Sequence, residues 1–326
     1  MSEKEIIAAV GAGRMGRGIA IAFAYSGHDV RLIDAKPRDT DGYEALKVSA
    51  LSDISAALTM LAGFGLLEPS EIEGVLARIT CFPSEEIEAA LTNVPVIFEG
   101  VPETLEAKRA TFEVVSRHAD PQAIIASTTS TILSNDLQGF VTNPQRFLNA
   151  HWLNPAYLVP LVEVSPGDQT DTTVTARLKS LLERIGKVPV VCSASPGYIV
   201  PRIQALAMNE AARLVEEGVA SAEDIDKATK YGFGFRFAVL GLLEFIDWGG
   251  GDILYYASRY MADATGEDRF KAPQIVQENM AQDRNGLRDG QGFMNYEGLD
   301  VAEYQRQRIG AFAGMLRHLD KMPVKG

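Results

Sequence analysis

Short apolar runs alternate with amphipathic stretches over the first part of the chain. The apolar runs fit buried strands, and several of the stretches between them have helical periodicity. This alternation predicts a mostly parallel sheet with helices on both faces. The predicted strands are residues 6–10, 30–33, 94–98, 123–126, 147–150, 161–164 and 188–192, and two of the predicted helices are residues 105–118 and 174–185.

The pattern changes near residue 195. Helical periodicity dominates beyond that point, and no further run is typical of a strand. We therefore predict two domains, an α/β domain over residues 1–194 and an all-α domain over residues 195–326. A predicted helix over residues 48–66 and the start of another at residues 69–73 form a helical excursion within the first domain. The helices predicted for the second domain are residues 202–217, 222–231, 239–260, 272–282 and 301–319.

A glycine-rich turn, Gly11-Ala12-Gly13-Arg14-Met15-Gly16, follows the first predicted strand. A strand, such a turn and then a helix form the dinucleotide-binding fingerprint of a Rossmann-type domain. The first glycine allows the tight turn, the second lets a pyrophosphate approach, and the third lets the helix pack on the strand. The phosphates would bind the N–H groups of the helix N-terminus. We assign Gly11, Gly13, Met15 and Gly16 to cofactor binding; the alternative is a strand–turn–helix without a ligand.

An acidic residue, Asp34, follows the second predicted strand. A carboxylate at about this place binds the ribose hydroxyls of the adenosine. Because it would repel a 2′-phosphate, Asp34 favours NAD over NADP. The charges of Lys36 and Arg38, which follow closely, weaken this preference.

Composition and charge narrow the classes of partner. The 326 residues are 46% hydrophobic and 23% charged, which is ordinary for a soluble protein large enough for two cores. The net charge of -12 argues against nucleic acid and against an anionic membrane surface. The N-terminus does not resemble a signal peptide, and the apolar stretch 237–248 is too short to cross a bilayer. Cys81 and Cys192 lack the spacing of metal ligands, so we expect no metal site. Taken together, these features predict a cytoplasmic protein.

One histidine lies at the carboxyl end of a predicted strand, where open parallel sheets bind their ligands. His151 ends a predicted strand in His151-Trp152-Leu153-Asn154-Pro155, and Glu163 interrupts the next apolar strand. A carboxylate in such a strand is costly unless it is paired. A pair with His151 would orient the imidazole and support its charge when it accepts a proton. The alternative is a buried pair with a structural role.

Taken together, these motifs resemble those of the L-3-hydroxyacyl-CoA dehydrogenase superfamily. Their order and joint spacing are more specific than any single motif, and the resemblance covers nearly the whole chain. It implies an enzyme that oxidises an L-3-hydroxy group to a 3-keto group with hydride transfer to NAD. Beside residues 11–16, the motifs are Glu99-Gly100-Val101-Pro102-Glu103, Ser127-Thr128-Thr129-Ser130, His151–Pro155, Leu161-Val162-Glu163-Val164, Pro196-Gly197-Tyr198-Ile199-Val200 and Glu217-Gly218-Val219-Ala220-Ser221.

The resemblance also implies roles for individual residues. His151 would be the general base that takes the hydroxyl proton, and Glu163 would hold and polarise it. This chemistry is consistent, because alcohol oxidation needs a base, a hydride acceptor and donors for the developing oxyanion. The implied contacts are Ser130 and Asn154 with the substrate oxygens, and Glu103 and Lys108 with the nicotinamide end of the cofactor. Taken singly, Ser130 also suits a turn, and Glu103 with Lys108 suits a helix-surface pair.

Three features depart from the pattern of the acyl-CoA enzymes. Pro201 replaces the usual Asn, which removes an amide that family members direct at the substrate. Residues 51–76 contain no Lys or Arg, whereas acyl-CoA members use basic residues there for nucleotide phosphates. Arg236, in Gly232-Phe233-Gly234-Phe235-Arg236, resembles the branch with L-gulonate 3-dehydrogenase (lambda-crystallin) and carnitine dehydrogenase, which act on free carboxylates. We therefore expect a small hydroxy acid whose carboxylate binds Arg236.

Other interpretations stay open. One alternative is an internal ion pair of Arg236 with Glu244 or Asp247. Another is that the substrate is an acyl-CoA thioester such as 3-hydroxybutyryl-CoA. A protein that binds NAD without catalysis, as lens crystallins do, is a further alternative. The 6-phosphogluconate-type enzymes use a catalytic Lys near the start of the second domain, but residues 197–209 contain none.

The second domain is also the predicted site of self-association. The apolar faces around residues 205–214 and 238–246 form a larger apolar surface than a single subunit is expected to bury. The family resemblance implies a homodimer through this domain. The aromatic residues Phe233, Phe235, Phe245 and Trp248 suit either a core or a pocket that tolerates an aromatic substrate.

Overall fold

The first part of the chain forms an eight-stranded sheet. The computed structural model describes residues 4–324, which divide between Ala207 and Met208 into two compact units. The order of the strands is β3-β2-β1-β4-β5-β6-β7-β8, and every neighbouring pair is parallel except β6 and β7. The strands are β1 (Ile6–Val10), β2 (Asp29–Ile33), β3 (Ile79–Phe82), β4 (Val96–Glu99), β5 (Ile124–Ser127), β6 (Phe147–Trp152), β7 (Leu161–Pro166) and β8 (Val188–Val191).

Helices pack on both faces of this sheet and make up the second unit, which confirms the predicted fold class. The helices of the first unit are α1 (Arg14–Tyr25), α2 (Thr40–Gly63), α3 (Ile72–Leu76), α4 (Ile87–Leu91), α5 (Leu105–His118), α6 (Ser134–Leu137) and α7 (Thr172–Arg184). Helix α8 (Val200–Glu216) contains the boundary between the units. The second unit continues with α9 (Ala222–Ala228), α10 (Phe235–Phe237), α11 (Leu242–Gly249), α12 (Gly251–Thr265), α13 (Gln274–Ala281) and α14 (Val301–His318).

Two apolar clusters cover the two faces of the sheet. Ile7 and Ala9 of β1 belong to one cluster, whereas Ala8 and Val10 belong to the other. Successive side chains of a strand point to opposite faces, so a strand covered on both faces reads as a continuous apolar run. This is why the central strands were predictable from the sequence.

The edge strand β3 was not among the predicted strands. Only Ile79 of its four residues is buried, and Thr80 is exposed. An edge strand is paired on one side alone, so it needs fewer apolar residues than a central strand. The sequence signal on which the other strands were predicted is therefore weak here.

The single helix predicted over residues 239–260 is wrong, because the chain breaks between α11 and α12. Gly250, at the break, has φ +111°, a backbone conformation that residues with a side chain rarely adopt. A Cβ atom on Gly250 would also lie 2.5 Å from an oxygen of Asp252. The hydrophobic periodicity continues across the break and so does not reveal it.

Helix α2 forms most of the predicted helical excursion. Its length and composition alone would allow it to cross a membrane, and 22% of its most apolar 18-residue segment is buried. One such helix is weak evidence of a membrane span, since core helices of soluble proteins also meet these criteria. Ala50, Ile54, Leu58 and Leu61 pack its inner face into the apolar cluster that also contains residues of α1. The absence of a membrane partner stays a prediction.

Candidate active site

The glycine-rich turn has the geometry that its sequence predicts. Gly11 has φ +106°, and a Cβ atom there would lie 2.8 Å from the carbonyl oxygen of Gly100. A Cβ atom on Gly16 would lie 2.0 Å from the carbonyl oxygen of Gly11. Both glycines are therefore required by the fold itself. A Cβ atom on Gly13, in contrast, would meet nothing within 4 Å, so the space beside Gly13 is open to a ligand.

The start of α1 offers its N–H groups to an anion. Gly13 caps the helix without a side-chain hydrogen bond, which leaves the N–H groups of the first turn for another acceptor. A pyrophosphate suits this position because the helix dipole favours negative charge. The side chain of Met15 packs against an apolar cluster, so a contact of Met15 with an anion would come from its backbone.

Asp34 lies at the carboxyl end of β2. Its Oδ1 accepts a hydrogen bond from the backbone N–H of Lys36 at 3.1 Å, and its Oδ2 accepts one from Nε of Arg38 at 2.6 Å. A cavity of about 540 Å³, a size that suits a nucleoside, adjoins Asp34. The other residues lining this cavity include Val10, Ala35, Pro37, Ile87 and Ala110. These residues fit NAD, with the pyrophosphate on the glycine-rich turn and the adenosine beside Asp34.

A buried ion pair joins the ends of β4 and α5. Nζ of Lys108 lies 3.1 Å from each carboxylate oxygen of Glu99, and both side chains are fully buried. The hydroxyl of Ser127 donates a hydrogen bond to Glu99 at 2.6 Å. A buried pair needs such additional partners to offset the loss of hydration. Lys108 therefore belongs to the interior of the unit, so its contact with Glu103 is not a pair on the helix surface.

Glu103 connects this ion pair to the turn that carries Ser130. Its Oε1 accepts hydrogen bonds from the backbone N–H groups of Ser130 at 2.9 Å and Thr131 at 3.0 Å, and its Oε2 lies 3.4 Å from Nζ of Lys108. Burial raises the pKa of Glu103, but hydrogen bonds from the hydroxyls of Thr129 and Thr131 and the charge of Lys108 lower it to about 2. Glu103 is therefore ionised at neutral pH and fixes the Ser130 turn.

His151 and Glu163 face each other across the antiparallel pair of β6 and β7. Nδ1 of His151 lies 2.7 Å from Oε2 of Glu163, which is fully buried. The other oxygen, Oε1, accepts hydrogen bonds from the backbone N–H groups of Ile199 at 2.9 Å and Val200 at 2.8 Å. Since Nδ1 is engaged with the carboxylate, Nε2 is the nitrogen left to exchange a proton with a substrate.

The two residues predicted to contact the substrate oxygens have different surroundings. Ser130 is exposed and lies in the turn held by Glu103. Asn154 is exposed and lines a cavity of about 400 Å³ together with Arg14, Arg17 and Asp53. The structure therefore groups Ser130 with Glu103 and Lys108, and groups Asn154 with the first turns of α1.

Arg236 lies in the second unit, directly after a π-helical turn, Thr229–Gly234. Its Nε donates a hydrogen bond to the carbonyl oxygen of Gly232 at 3.1 Å, and its guanidinium carbon lies 5.0 Å from the ring centroid of Phe245. The ring of Phe237 contacts those of Phe233 and Phe245, with centroids 4.5 and 5.3 Å away. An aromatic cluster thus adjoins the exposed guanidinium.

Neither acidic residue considered as an internal partner of Arg236 pairs with it. Glu244 instead accepts a hydrogen bond from the hydroxyl of Tyr304 and forms an ion pair with Arg308. Asp247 accepts hydrogen bonds from the backbone N–H groups of Phe293 and Met294, both at 2.9 Å, and from the hydroxyl of Tyr296 at 3.1 Å. Over residues 4–324, no carboxylate oxygen lies within 4.0 Å of the Arg236 guanidinium.

Sequence reasoning missed two parts of the site. The motif that contains Glu99 assigns it no role, although a carboxylate that ends an apolar strand is a signal of a buried pair. The motif that contains Tyr198 likewise assigns it no role, yet the ring of Tyr198 stacks on that of His151 with centroids 5.3 Å apart. No sequence signal predicts this contact, since it joins distant segments. In the described part of the chain, no three His, Cys, Asp or Glu side chains are grouped as metal ligands.

The family models match nearly the whole chain. Residues 6–195 match the model described as 3-hydroxyacyl-CoA dehydrogenase, NAD binding domain. Residues 197–296 match the model described as 3-hydroxyacyl-CoA dehydrogenase, C-terminal domain.

Individual proteins show the same similarity. The 5-formyl-3-hydroxy-2-methylpyridine 4-carboxylate 5-dehydrogenase of Mesorhizobium japonicum is 30% identical over 96% of this chain and 98% of its own. A human lambda-crystallin homolog is 33% identical over 77% of this chain and 76% of its own. Among solved structures, a 3-hydroxyacyl-CoA dehydrogenase of Archaeoglobus fulgidus superimposes with a TM-score of 0.76 at 31% identity, covering 98% of this chain and 100% of its own.

Proposed function

Because the chain belongs to the 3-hydroxyacyl-CoA dehydrogenase family, we propose that it oxidises a small L-3-hydroxy acid whose carboxylate is free. The chain is an NAD-dependent dehydrogenase that acts on a CH–OH group, and the predictions of family, fold class and cofactor are confirmed. The identity of the substrate and the roles of the individual site residues are what we propose.

His151 is the base of the proposed reaction. NAD, when bound, supplies the acceptor of the hydride that leaves the alcohol carbon. Nε2 of His151 takes the hydroxyl proton, and the imidazolium that results is stabilised by the carboxylate 2.7 Å from Nδ1. Glu163 is held in place by the N–H groups of Ile199 and Val200, so the pair needs no rearrangement when the proton arrives.

Ser130 and Asn154 are the proposed donors to the substrate oxygens. The Ser130 turn is held by Glu103, which is held in turn by Lys108, so this donor rests on a buried network. Fixed donors stabilise a developing oxyanion without reorganisation during the reaction. The residues proposed to hold NAD are Gly11, Gly13, Met15, Gly16, Asp34 and Glu103, and the fully buried Lys108 acts at this site by holding Glu103.

One observation carries the proposal of a free carboxylate, namely that Arg236 has no acidic partner among residues 4–324. Glu244 and Asp247 are both engaged with other donors. A guanidinium binds a carboxylate with two parallel hydrogen bonds, which gives orientation as well as affinity. We infer that the carboxylate of the substrate is the partner of Arg236.

Two further features support a carboxylate over a CoA thioester. The stretch from Leu51 to Leu76 contains Asp53 and three Glu residues but no basic residue. The negative electrostatic potential of this stretch disfavours the binding of nucleotide phosphates. The Mesorhizobium relative is named for a pyridine carboxylate. The cluster of Phe233, Phe237 and Phe245 beside Arg236 suits an acid that carries a ring or another apolar group.

NADH formation against a matched panel tests the proposal. The panel contains L-3-hydroxybutyryl-CoA, free L-3-hydroxybutyrate, L-carnitine, L-gulonate and an aromatic hydroxy acid. We expect a preference for a free acid, and a loss in kcat/KM of about 10- to 100-fold in Arg236→Ala, the range of a charged hydrogen bond. Arg306→Ala is the matched control, because Arg306 is exposed and pairs with Glu303 within α14. This control is expected to keep full activity.

The alternative substrate is an L-3-hydroxyacyl-CoA thioester. The similarity of nearly the whole chain to the 3-hydroxyacyl-CoA dehydrogenase of Archaeoglobus supports this alternative. Turnover of L-3-hydroxybutyryl-CoA that equals the best acid and is insensitive to Arg236→Ala would contradict the free-carboxylate proposal. A protein that binds NAD but oxidises nothing in the panel would support a non-catalytic, crystallin-like role.

We also propose that the protein is a homodimer through its helical domain and acts in the cytoplasm. Large apolar side chains of the second unit are exposed, among them Met208, Leu243, Ile253, Tyr256 and Tyr260. Such a surface suits burial against a second copy. The free thiols of Cys81 and Cys192 are compatible with a reducing compartment. Sedimentation as a monomer at micromolar concentration would contradict the dimer.

A further inference from the structure

Tyr198 lies where the catalytic pair, the substrate turn and the start of α8 meet. Its side chain contacts the ring of His151 and the carbonyl oxygen of Thr129, the residue before Ser130. We propose that Tyr198 is a positioning residue, whose ring orients the His151 imidazole and whose hydroxyl fixes the turn that carries Ser130. This inference rests on the proposed role of His151 as the base.

The ring of Tyr198 restricts the imidazole from one face. The two rings are 5.3 Å apart between centroids with an interplanar angle of 22°, and Tyr198 is only 4% exposed. The hydrogen bond from Nδ1 to Glu163 alone leaves the imidazole free to tilt about that contact. A stacked ring opposes this tilt, and side-chain orientation within a few tens of degrees decides proton transfer.

The hydroxyl of Tyr198 holds the other side of the site. It accepts a hydrogen bond from Nδ2 of Asn149 at 2.9 Å and donates one to the carbonyl oxygen of Thr129 at 3.1 Å. Nδ2 of Asn149 also donates to the carbonyl oxygen of Ile132 at 2.9 Å, so the turn is fixed at both ends. Burial raises the pKa of Tyr198, which keeps this hydroxyl protonated and able to donate.

The backbone around Tyr198 also contributes to the position of the His151–Glu163 pair. Tyr198 has φ +44°, a conformation that is uncommon for a residue with a side chain and is kept only where the surroundings require it. The next two residues, Ile199 and Val200, donate their N–H groups to Oε1 of Glu163. One short segment therefore orients the imidazole through a side chain and the carboxylate through its backbone.

Two substitutions separate the ring from the hydroxyl. Tyr198→Leu removes both, and we expect kcat to fall about 30-fold with an altered pH profile, since the base is no longer held in one orientation. Tyr198→Phe keeps the ring, so we expect kcat and the pH profile to be largely restored. Loss of the hydroxyl is expected to raise KM for the hydroxy substrate about threefold to tenfold, the range of one hydrogen bond.

The matched controls are the same substitutions at Tyr296, a buried tyrosine of the second unit whose hydroxyl donates to Asp247. Tyr296→Leu and Tyr296→Phe are expected to lower the melting temperature but to leave kcat per folded site and its pH profile unchanged. A merely structural role of Tyr198 would give this same pattern at Tyr198 and would overturn the proposal.

A second measurement needs no substrate. The proton between Nδ1 of His151 and Glu163 is expected to give an NMR resonance far downfield of the amide region. We expect this resonance in the wild type, in Tyr198→Phe and in both Tyr296 variants, and its broadening or loss in Tyr198→Leu. An unchanged resonance in folded Tyr198→Leu would overturn the role of the ring, even if no member of the substrate panel is oxidised.

Discussion

Each unit of the molecule contains a buried carboxylate that accepts two backbone N–H groups, and the other partners of these two carboxylates differ. Glu163 is fully buried in the first unit, where one oxygen binds His151 and the other accepts two backbone N–H groups. Asp247 is 2% exposed in the second unit and accepts two backbone N–H groups and the hydroxyl of Tyr296. Both satisfy the requirement that a buried charge be hydrogen-bonded.

Glu163 and Asp247 differ in whether a neighbouring group can accept or release a proton. None of the donors to Asp247 titrates near neutral pH, so that carboxylate holds a loop in place. Glu163 has an imidazole as its partner, and imidazole is the side chain that most often exchanges a proton as a general acid or base. A buried carboxylate thus indicates chemistry when its partner is titratable and has a second nitrogen free.

The largest expected effect is that of Glu163→Gln. Glutamine keeps the shape and one hydrogen-bond acceptor but cannot stabilise an imidazolium. We expect kcat to fall on the order of 100-fold or more while the protein stays folded and binds NADH, as measured by fluorescence titration. If kcat is unchanged, Glu163 is a structural carboxylate like Asp247, and the distinction between the two is lost.

Asp247→Ala is expected to act on stability instead. The change leaves three buried donors without an acceptor, which costs about 3 kcal/mol or more. The chain packs closely around this carboxylate in the wild type, since a Cβ atom on Gly292 would lie 2.1 Å from Oδ1 of Asp247. Urea unfolding measures the loss, and kcat per folded site is the control. A lower kcat with unchanged stability would place Asp247 in the chemistry.

Lys187 provides a buried cation for comparison with these buried anions. Its Nζ donates to the carbonyl oxygens of Ala156 at 2.7 Å and Val159 at 2.8 Å, and burial lowers the pKa of Lys187 to about 8. Between pH 8 and the unfolded value of about 10.4, the unfolded chain binds more protons, so stability rises with pH. We expect the stability of the wild type relative to Lys187→Met to increase from pH 8 to pH 10. A difference that is flat or falls with pH would contradict the lowered pKa.

The smallest effect is expected at the ion pair of Arg17 and Asp53, which lies near the surface. The side chain of Asp53 is 64% exposed. Exposed pairs contribute about 1 kcal/mol or less, so Asp53→Ala is expected to change the free energy of unfolding by no more than that. Urea unfolding at low and high salt checks this, and a loss of several kcal/mol would show that exposure is a poor guide here.

The parts of the site that could be predicted from the sequence are those set by local backbone geometry. The glycine-rich turn follows a strand and starts a helix, so Gly11 and Gly16 are fixed by the fold. His151 and Glu163 lie on neighbouring apolar strands, and the antiparallel register places them opposite each other. A buried carboxylate in an apolar strand already required such a partner.

The parts that could not be predicted depend on contacts between distant segments. Lys108 reads as a surface residue of a helix, and only the fold shows that it is buried against Glu99. Tyr198 meets His151 because of a positive φ that follows a glycine, which no hydrophobic pattern encodes. The break at Gly250 was missed because apolar periodicity continues on both sides of it.

The most direct test of the central claim is NADH formation by wild type and His151→Ala, each with saturating NAD and the panel of hydroxy substrates. The claim predicts that the wild type oxidises at least one free acid and that His151→Ala loses on the order of 1,000-fold in kcat. NAD affinity, measured by calorimetry, is expected to be unchanged in the variant. Oxidation at the wild-type rate by folded His151→Ala would contradict the claim that His151 is the base.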